Sequence, residues 1–261
     1  MPTATAPDGA LLAYDVVGDG PTEVLFFHGA AGSRDYFADL LRELDTSRLR
    51  AVVADLRGHG DSGGAEVPYT LELLSADALA VADAADLDGA VVFGFSMGAK
   101  FAQHLALTAP ERVTALILVA GCPAAAIPVP PEVLADWYAR VGDAPRLAEL
   151  VTEYATGPVD PDALERFGRN AARIPLGAFA GSLDLTCGST FADEVGAIDV
   201  PAIVVGGTGD AIFTPEYLRL GVVDPLRRAR LALLDAGHEV PLERPRELAA
   251  VVEAFLAGLG R

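Results

Sequence analysis

Short, nearly unbroken apolar runs alternate along the chain with segments whose apolar residues recur every three or four positions. The runs Ala51–Ala54, Ala90–Phe93, Val113–Val119, Ala202–Val205 and Arg230–Leu234 lack the polar alternation of a half-exposed strand, which predicts strands buried on both faces. Between them, Leu71, Leu74, Ala78, Leu79 and Ala82 mark one helical stripe, with Thr70 placed as its N-cap and Glu72 in its first turn. Phe101, Ala102, Leu105 and Ala109 mark a second helix ending before Pro110. Leu248, Val251, Val252, Phe255 and Leu256 mark a third after Pro245. Strand and helix in alternation predict a parallel sheet with crossover helices packed on it. The opening differs. Ala10–Val17, a turn at Gly18, Asp19, Gly20 and Pro21, then Glu23–Phe27 predict an antiparallel meander leading into that sheet.

From Pro123 to about Asp199 the alternation stops. Helical patterns at Pro131–Val141, Arg146–Ala155 and Asp162–Ala172 are punctuated by proline and carry scattered aromatics, among them Trp137, Tyr138, Tyr154, Phe167 and Phe179. Their apolar faces need a surface to cover, and the carboxyl edge of the sheet supplies one. Residues 1–122 and 200–261 are therefore expected to form the core, with residues 123–199 inserted as a helical lid.

Composition narrows the function. With 51% hydrophobic and 21% charged residues, the 261-residue chain has enough apolar surface to fold, and its length suits one large core. A formal charge of −18 opposes nucleic acid and anionic lipid alike. The apolar stretch Ala115–Pro131 is broken by Gly121, Pro123, Pro128 and Pro130, so it does not read as a membrane span. Cys122 and Cys187 form neither a disulfide framework nor a C-x-x-C unit, and the first nine residues lack the basic and apolar regions of a signal peptide. A cytoplasmic protein is the expectation.

The chemistry concentrates at Gly94-Phe95-Ser96-Met97-Gly98, which follows an apolar strand and opens a helix. A G-x-S-x-G sequence at such a turn exposes a serine hydroxyl in a strained backbone conformation; the plain alternative is a helix start with Ser96 as its cap. A serine needs a base and an orienting carboxylate to attack. His238, in the loop between the last strand and the last helix, fits the base; His28, His59 and His104 read as structural. Asp210 ends the loop directly after Ala202–Val205, whereas the loop Ala120-Gly121-Cys122-Pro123 holds no acid; Asp184 is the reserve. Lys100, the only lysine, reads as a solvated or packing residue, and Cys122 as a small buried hydrophobe. Gly94–Lys100 is one residue short of a phosphate-binding loop, and no metal-ligand cluster or dinucleotide fingerprint is present. A small-molecule substrate, with no metal and no cofactor, is expected.

Several motifs now stand in order: His28-Gly29-Ala30-Ala31-Gly32, Asp55-Leu56-Arg57-Gly58-His59-Gly60-Asp61-Ser62, the Gly94–Gly98 turn, Asp210, and Gly237-His238 leading to Glu243-Arg244-Pro245. Together they resemble the α/β-hydrolase superfamily over nearly the whole chain outside the lid. The resemblance implies a mostly parallel eight-stranded sheet flanked by helices, a lid after strand 6, and an oxyanion hole from the backbone N–H groups of Ala30 and Met97. Ala30 and Ala31 depart from the three-glycine loop of some lipases and from the His-Gly-Gly-Pro form of proline iminopeptidases. The serine departs from relatives that resemble epoxide hydrolases, which carry aspartate there. The implied activity is serine-dependent cleavage of a carboxylic ester or lactone, with Trp137, Phe179, Phe213 and Val240 as candidate substrate-binding residues in an apolar pocket. The fold also admits perhydrolysis, carbon–carbon cleavage, a biosynthetic cyclisation, or receptor-like ligand binding with little turnover.

Overall fold

One sheet runs through the computed structural model, which describes residues 1–64, 66 and 68–260. Its strands are β1 (Thr3–Thr5), β2 (Leu11–Val17), β3 (Thr22–Phe27), β4 (Leu49–Ala54), β5 (Ala90–Phe95), β6 (Val113–Val119), β7 (Ala202–Gly207) and β8 (Ala229–Leu234), in the spatial order β1-β2-β4-β3-β5-β6-β7-β8. All neighbours from β4 to β8 are parallel; β1 and β2 add an antiparallel edge.

The expected opening meander is not formed. β2 and β3 are consecutive but unpaired, because β4 lies between them with Ala54 opposite both Tyr14 and Phe27. Burial explains the order: Val24, Leu25, Phe26 and Phe27 are buried, which needs a central position, whereas β2 leaves Leu11 and Val16 exposed and suits an edge. β1 is only three residues long, too short to show a pattern.

Side chains alternate across the sheet and divide the core into two layers. Leu25, Val52, Val92, Leu116 and Val204 meet helices α2 (Leu71–Ala84) and α3 (Met97–Thr108) on one face. Val24, Phe26, Val53, Phe93 and Ile117 meet α1 (Ala38–Glu43) and α10 (Pro245–Gly258) on the other. Thr70 caps α2 as expected, its hydroxyl accepting the Leu73 N–H at 3.1 Å.

Between β6 and β7 lie α4 (Pro131–Arg140), α5 (Ala144–Tyr154), α6 (Pro161–Ala171) and α7 (Leu176–Gly188), followed later by the short α8 (Pro215–Leu218) and α9 (Val240–Glu243). The first three match the predicted helical segments. α7 escapes prediction because its buried stripe, Ala178, Phe179, Ser182, Leu183 and Thr186, includes two hydroxyl residues, and its three glycines weaken the helical signal. Its Phe179 and Leu183 join Ala31, Leu147 and Ile174, while Leu185 packs on the main core. Among the described residues no helix is long and apolar enough to cross a membrane.

Both ends of this helical segment are fastened at one point. Lys100 is fully buried on α3, not solvated, and its Nζ donates to the carbonyls of Ala125 (3.0 Å), Thr186 (2.7 Å) and Ser189 (2.7 Å). Burial lowers its pKa to about 8. Lys100→Met would strand three carbonyls, each worth roughly 1–3 kcal/mol when left unpaired. We expect a stability loss of at least about 3 kcal/mol, read from the urea midpoint.

Candidate active site

Ser96 sits at the junction of β5 and α3 with φ 50° and ψ −114°, a conformation L-residues avoid. Its N–H donates to the Val119 carbonyl at 2.9 Å, and its own carbonyl accepts from the N–H groups of Ala99 and Cys122, each at 3.0 Å. The turn exists because two neighbours lack side chains. A Cβ on Gly94 would come 2.6 Å from the Ala99 Cα, and one on Gly98 would strike the Phe27 and His28 carbonyls. Ser96 does not cap its helix; its hydroxyl points to His238 instead.

Three residues from separate loops form one hydrogen-bonded chain. The Ser96 hydroxyl lies 3.0 Å from His238 Nε2, and His238 Nδ1 lies 2.9 Å from Asp210 Oδ2. With Asp210 as acceptor, Nδ1 carries the proton and Nε2 is free to accept from the serine. Asp210 is held in turn, its Oδ1 accepting the N–H groups of Ile212 (2.8 Å) and Phe213 (2.9 Å). Phe95 and Phe213 flank the imidazole, with ring centroids at 5.5 and 5.6 Å. Burial disfavours the imidazolium, but the hydrogen bond and charge of Asp210 outweigh it and hold His238 above its ordinary value.

The His238 loop is tied down by a residue for which sequence reasoning found no role. Glu243 accepts the N–H of Gly237 at 2.9 Å and, from the helical segment, the N–H groups of Thr156 (2.8 Å) and Gly157 (2.7 Å). The His238 N–H donates to the Tyr154 carbonyl at 2.8 Å. Its place five residues after the histidine, before Pro245, was the available signal.

The remaining histidines are structural. His28 accepts the Leu56 N–H at 3.0 Å and donates to the Gly29 carbonyl at 2.8 Å; His59 donates to the Arg57 carbonyl at 2.9 Å; His104 pairs with the Ser75 hydroxyl at 2.8 Å. Asp184 accepts from the Tyr138 hydroxyl, away from His238. The Asp55–Ser62 loop is a charge lattice: Asp55 accepts from Arg34 and from the Asp61 N–H, and buried Arg57 clamps Asp77 at 2.7 and 2.6 Å. Cys122 is buried beside Ser96, which pushes its thiol up to about 12.

Above Ser96 opens an apolar cavity of about 860 Å³, including its mouth. Ala30 and Met97 line it, and neither backbone N–H has a hydrogen-bond partner among the described residues. Trp137, Phe179 and Phe213 also line it. Val240 does not: it starts α9 and packs into the core with Val205, Ala236 and Leu248. The residue before it, Glu239, reaches the cavity instead, as does Tyr36. Neither stood out in the sequence, because each lies beside a motif rather than within it.

Residues 23–245 match the alpha/beta hydrolase fold family, and the chain belongs to it. It is 24% identical to 3-oxoadipate enol-lactonase 2 of Acinetobacter baylyi, over 97% of this chain and 96% of that protein. It is 28% identical to a non-heme chloroperoxidase of Streptomyces lividans, over 81% and 83%. Among solved structures, the enol-lactonase from Burkholderia xenovorans LB400 superposes with a TM-score of 0.85 at 25% identity, covering 98% of this chain and all of that one (100%).

Burial pushes His28 to about 4 and His59 to about 3, so folding favours their neutral forms. Between those values and about 6.5 the unfolded chain binds the extra protons, and stability falls as pH drops through that window. His238, shifted upward, changes stability only above it. We expect the stability advantage of the wild type over His59→Gln, read from the two urea midpoints, to shrink from pH 6.5 to pH 4.

Proposed function

We propose that the protein is a serine hydrolase that cleaves a carboxylic ester or lactone with an apolar portion. The observation that carries this reading is the Asp210–His238–Ser96 hydrogen-bonded chain beneath an apolar cavity. His238 Nε2 takes the Ser96 proton as Oγ attacks the carbonyl carbon, and Asp210 stabilises the imidazolium that forms. The N–H groups of Met97 and Ala30 receive the oxyanion. His238 then protonates the leaving oxygen, an acyl-enzyme remains, and water attacks it by the same route in reverse. The enol-lactonase relative supports this substrate class, since a lactone is an internal ester.

Residues 123–199 serve as the lid, contributing Trp137 and Phe179 to the apolar portion of the site, to which Phe213 adds from the core. The partner is a small molecule. Two free thiols suit a cytoplasmic location. The chloroperoxidase relative favours a second reading, in which hydrogen peroxide replaces water at the acyl-enzyme and releases a peracid. Peracid formation from an ester and peroxide, measured against simple hydrolysis, separates the two.

Ser96→Ala and His238→Ala are expected to lower kcat on a p-nitrophenyl ester by on the order of 10⁵- to 10⁶-fold, and Asp210→Asn by about 10⁴-fold. Wild-type turnover by Ser96→Ala would overturn the reading. Because the base must be neutral, kcat/KM should fall as pH drops through the raised pKa of His238. Asp210→Asn should move that inflection to lower pH.

A further inference from the structure

The cavity holds a polar pair that the proposed reaction does not use. The Tyr36 hydroxyl donates to Glu239 Oε2, and the two residues are only 5% and 8% exposed. Tyr36 comes from the turn after the His28–Gly32 loop and stacks on Phe95, the neighbour of Ser96, at 4.8 Å and 15°. Glu239 directly follows His238, so both partners share a cavity wall with Ser96 and His238.

Glu239 differs from the other carboxylates here in being half satisfied. Asp210 and Glu243 spend both oxygens on backbone N–H groups or His238. The Thr186 hydroxyl is given to the Ser182 carbonyl at 2.8 Å. Glu239 Oε1 has no hydrogen-bond partner among the described residues. Unlike the sealed Nε2 of His59 and Oε1 of Gln103, which also lack partners, it is not sealed off, and Glu239 lines the cavity. A wholly apolar ligand that dried this wall would strand that oxygen, whereas a ligand with a matching polar group would satisfy it.

Resting on the ester-hydrolase reading, the geometry points to Glu239, held by Tyr36, as a polar subsite selecting substrates that carry a hydroxyl group on the acyl or alcohol portion. A hydroxyl both donates and accepts, so it satisfies Oε1 whether or not the carboxyl is ionised. A neutral partner also suits the site. Burial raises the Glu239 carboxyl against the opposing pull of His238 and Tyr36, and Glu243 and Asp210 add to the rise.

The test compares kcat/KM for matched esters: 1-naphthyl hexanoate against 1-naphthyl 6-hydroxyhexanoate for the acyl side, and hexyl acetate against 6-hydroxyhexyl acetate for the alcohol side. In parallel, hexanamide against 6-hydroxyhexanamide, and N-hexylacetamide against N-(6-hydroxyhexyl)acetamide, are titrated calorimetrically into Ser96→Ala. A preference for the hydroxylated member of about tenfold is expected on one side in both measurements. It should shrink to about one in Glu239→Leu and in part in Tyr36→Phe, while the near-isosteric Glu239→Gln keeps some of it. No preference on either side, a preference that survives Glu239→Leu, a lower melting temperature with an unchanged ratio, or better turnover of a 6-ammonio than a 6-hydroxy ester would each overturn the subsite. If neither ester is turned over while the amide preference holds and depends on Glu239, the subsite stands and the hydrolase reading falls.

Discussion

The site depends on one backbone constraint: a serine held at positive φ where a central strand turns into a helix. The conformation costs on the order of 1–3 kcal/mol, and it persists because three backbone hydrogen bonds and two glycine contacts leave the chain no alternative. An unstrained serine at a helix start would turn its hydroxyl onto its own backbone as a cap. Here the hydroxyl is released from that local bond and meets an imidazole supplied 142 residues later in the chain.

Two charged side chains then organise everything around it. Glu243 gathers backbone donors from the His238 loop and from the Thr156–Gly157 turn, so the base and one wall of the cavity are positioned together. Lys100 plays the converse part, offering a cation to carbonyls at both ends of the helical segment. Neither touches the cavity as a reacting group. Buried charges are tolerated only where their hydrogen-bonding capacity is filled, and both are filled by backbone.

What could be read from the chain follows from how local its cause is. The central strands and α2, α3 and α10 were legible because two-sided burial and single-stripe packing leave simple periods in sequence. The serine, aspartate and histidine were legible because each lies at a strand end within a motif. The β2–β4–β3 order was not, since strand pairing is decided by which strand most needs covering, a comparison across the whole sheet. α7 was hidden for a different reason: two of the five positions on its buried stripe, Ser182 and Thr186, are hydroxyl residues, so no apolar stripe shows. Val240 and Glu239 were exchanged because a loop that turns into a short helix reverses which neighbour faces inward. Whether Lys100 is solvated or packed stayed open in the sequence because the three partners that bury it lie 25, 86 and 89 residues away.

The shared anchor on Lys100 has a mechanical consequence. Because the carbonyls of Ala125, Thr186 and Ser189 meet at one nitrogen, the intervening helices form a span closed at its base rather than a flap attached along one side. Glu243 pins that span again near Thr156. Along that span α4 is the stretch where every residue keeps some exposure, and its Trp137 reaches the cavity while packing edge-on against Tyr154 of α5. The wall that Trp137 contributes is therefore held in place through Lys100 and Glu243, neither of which lines the cavity.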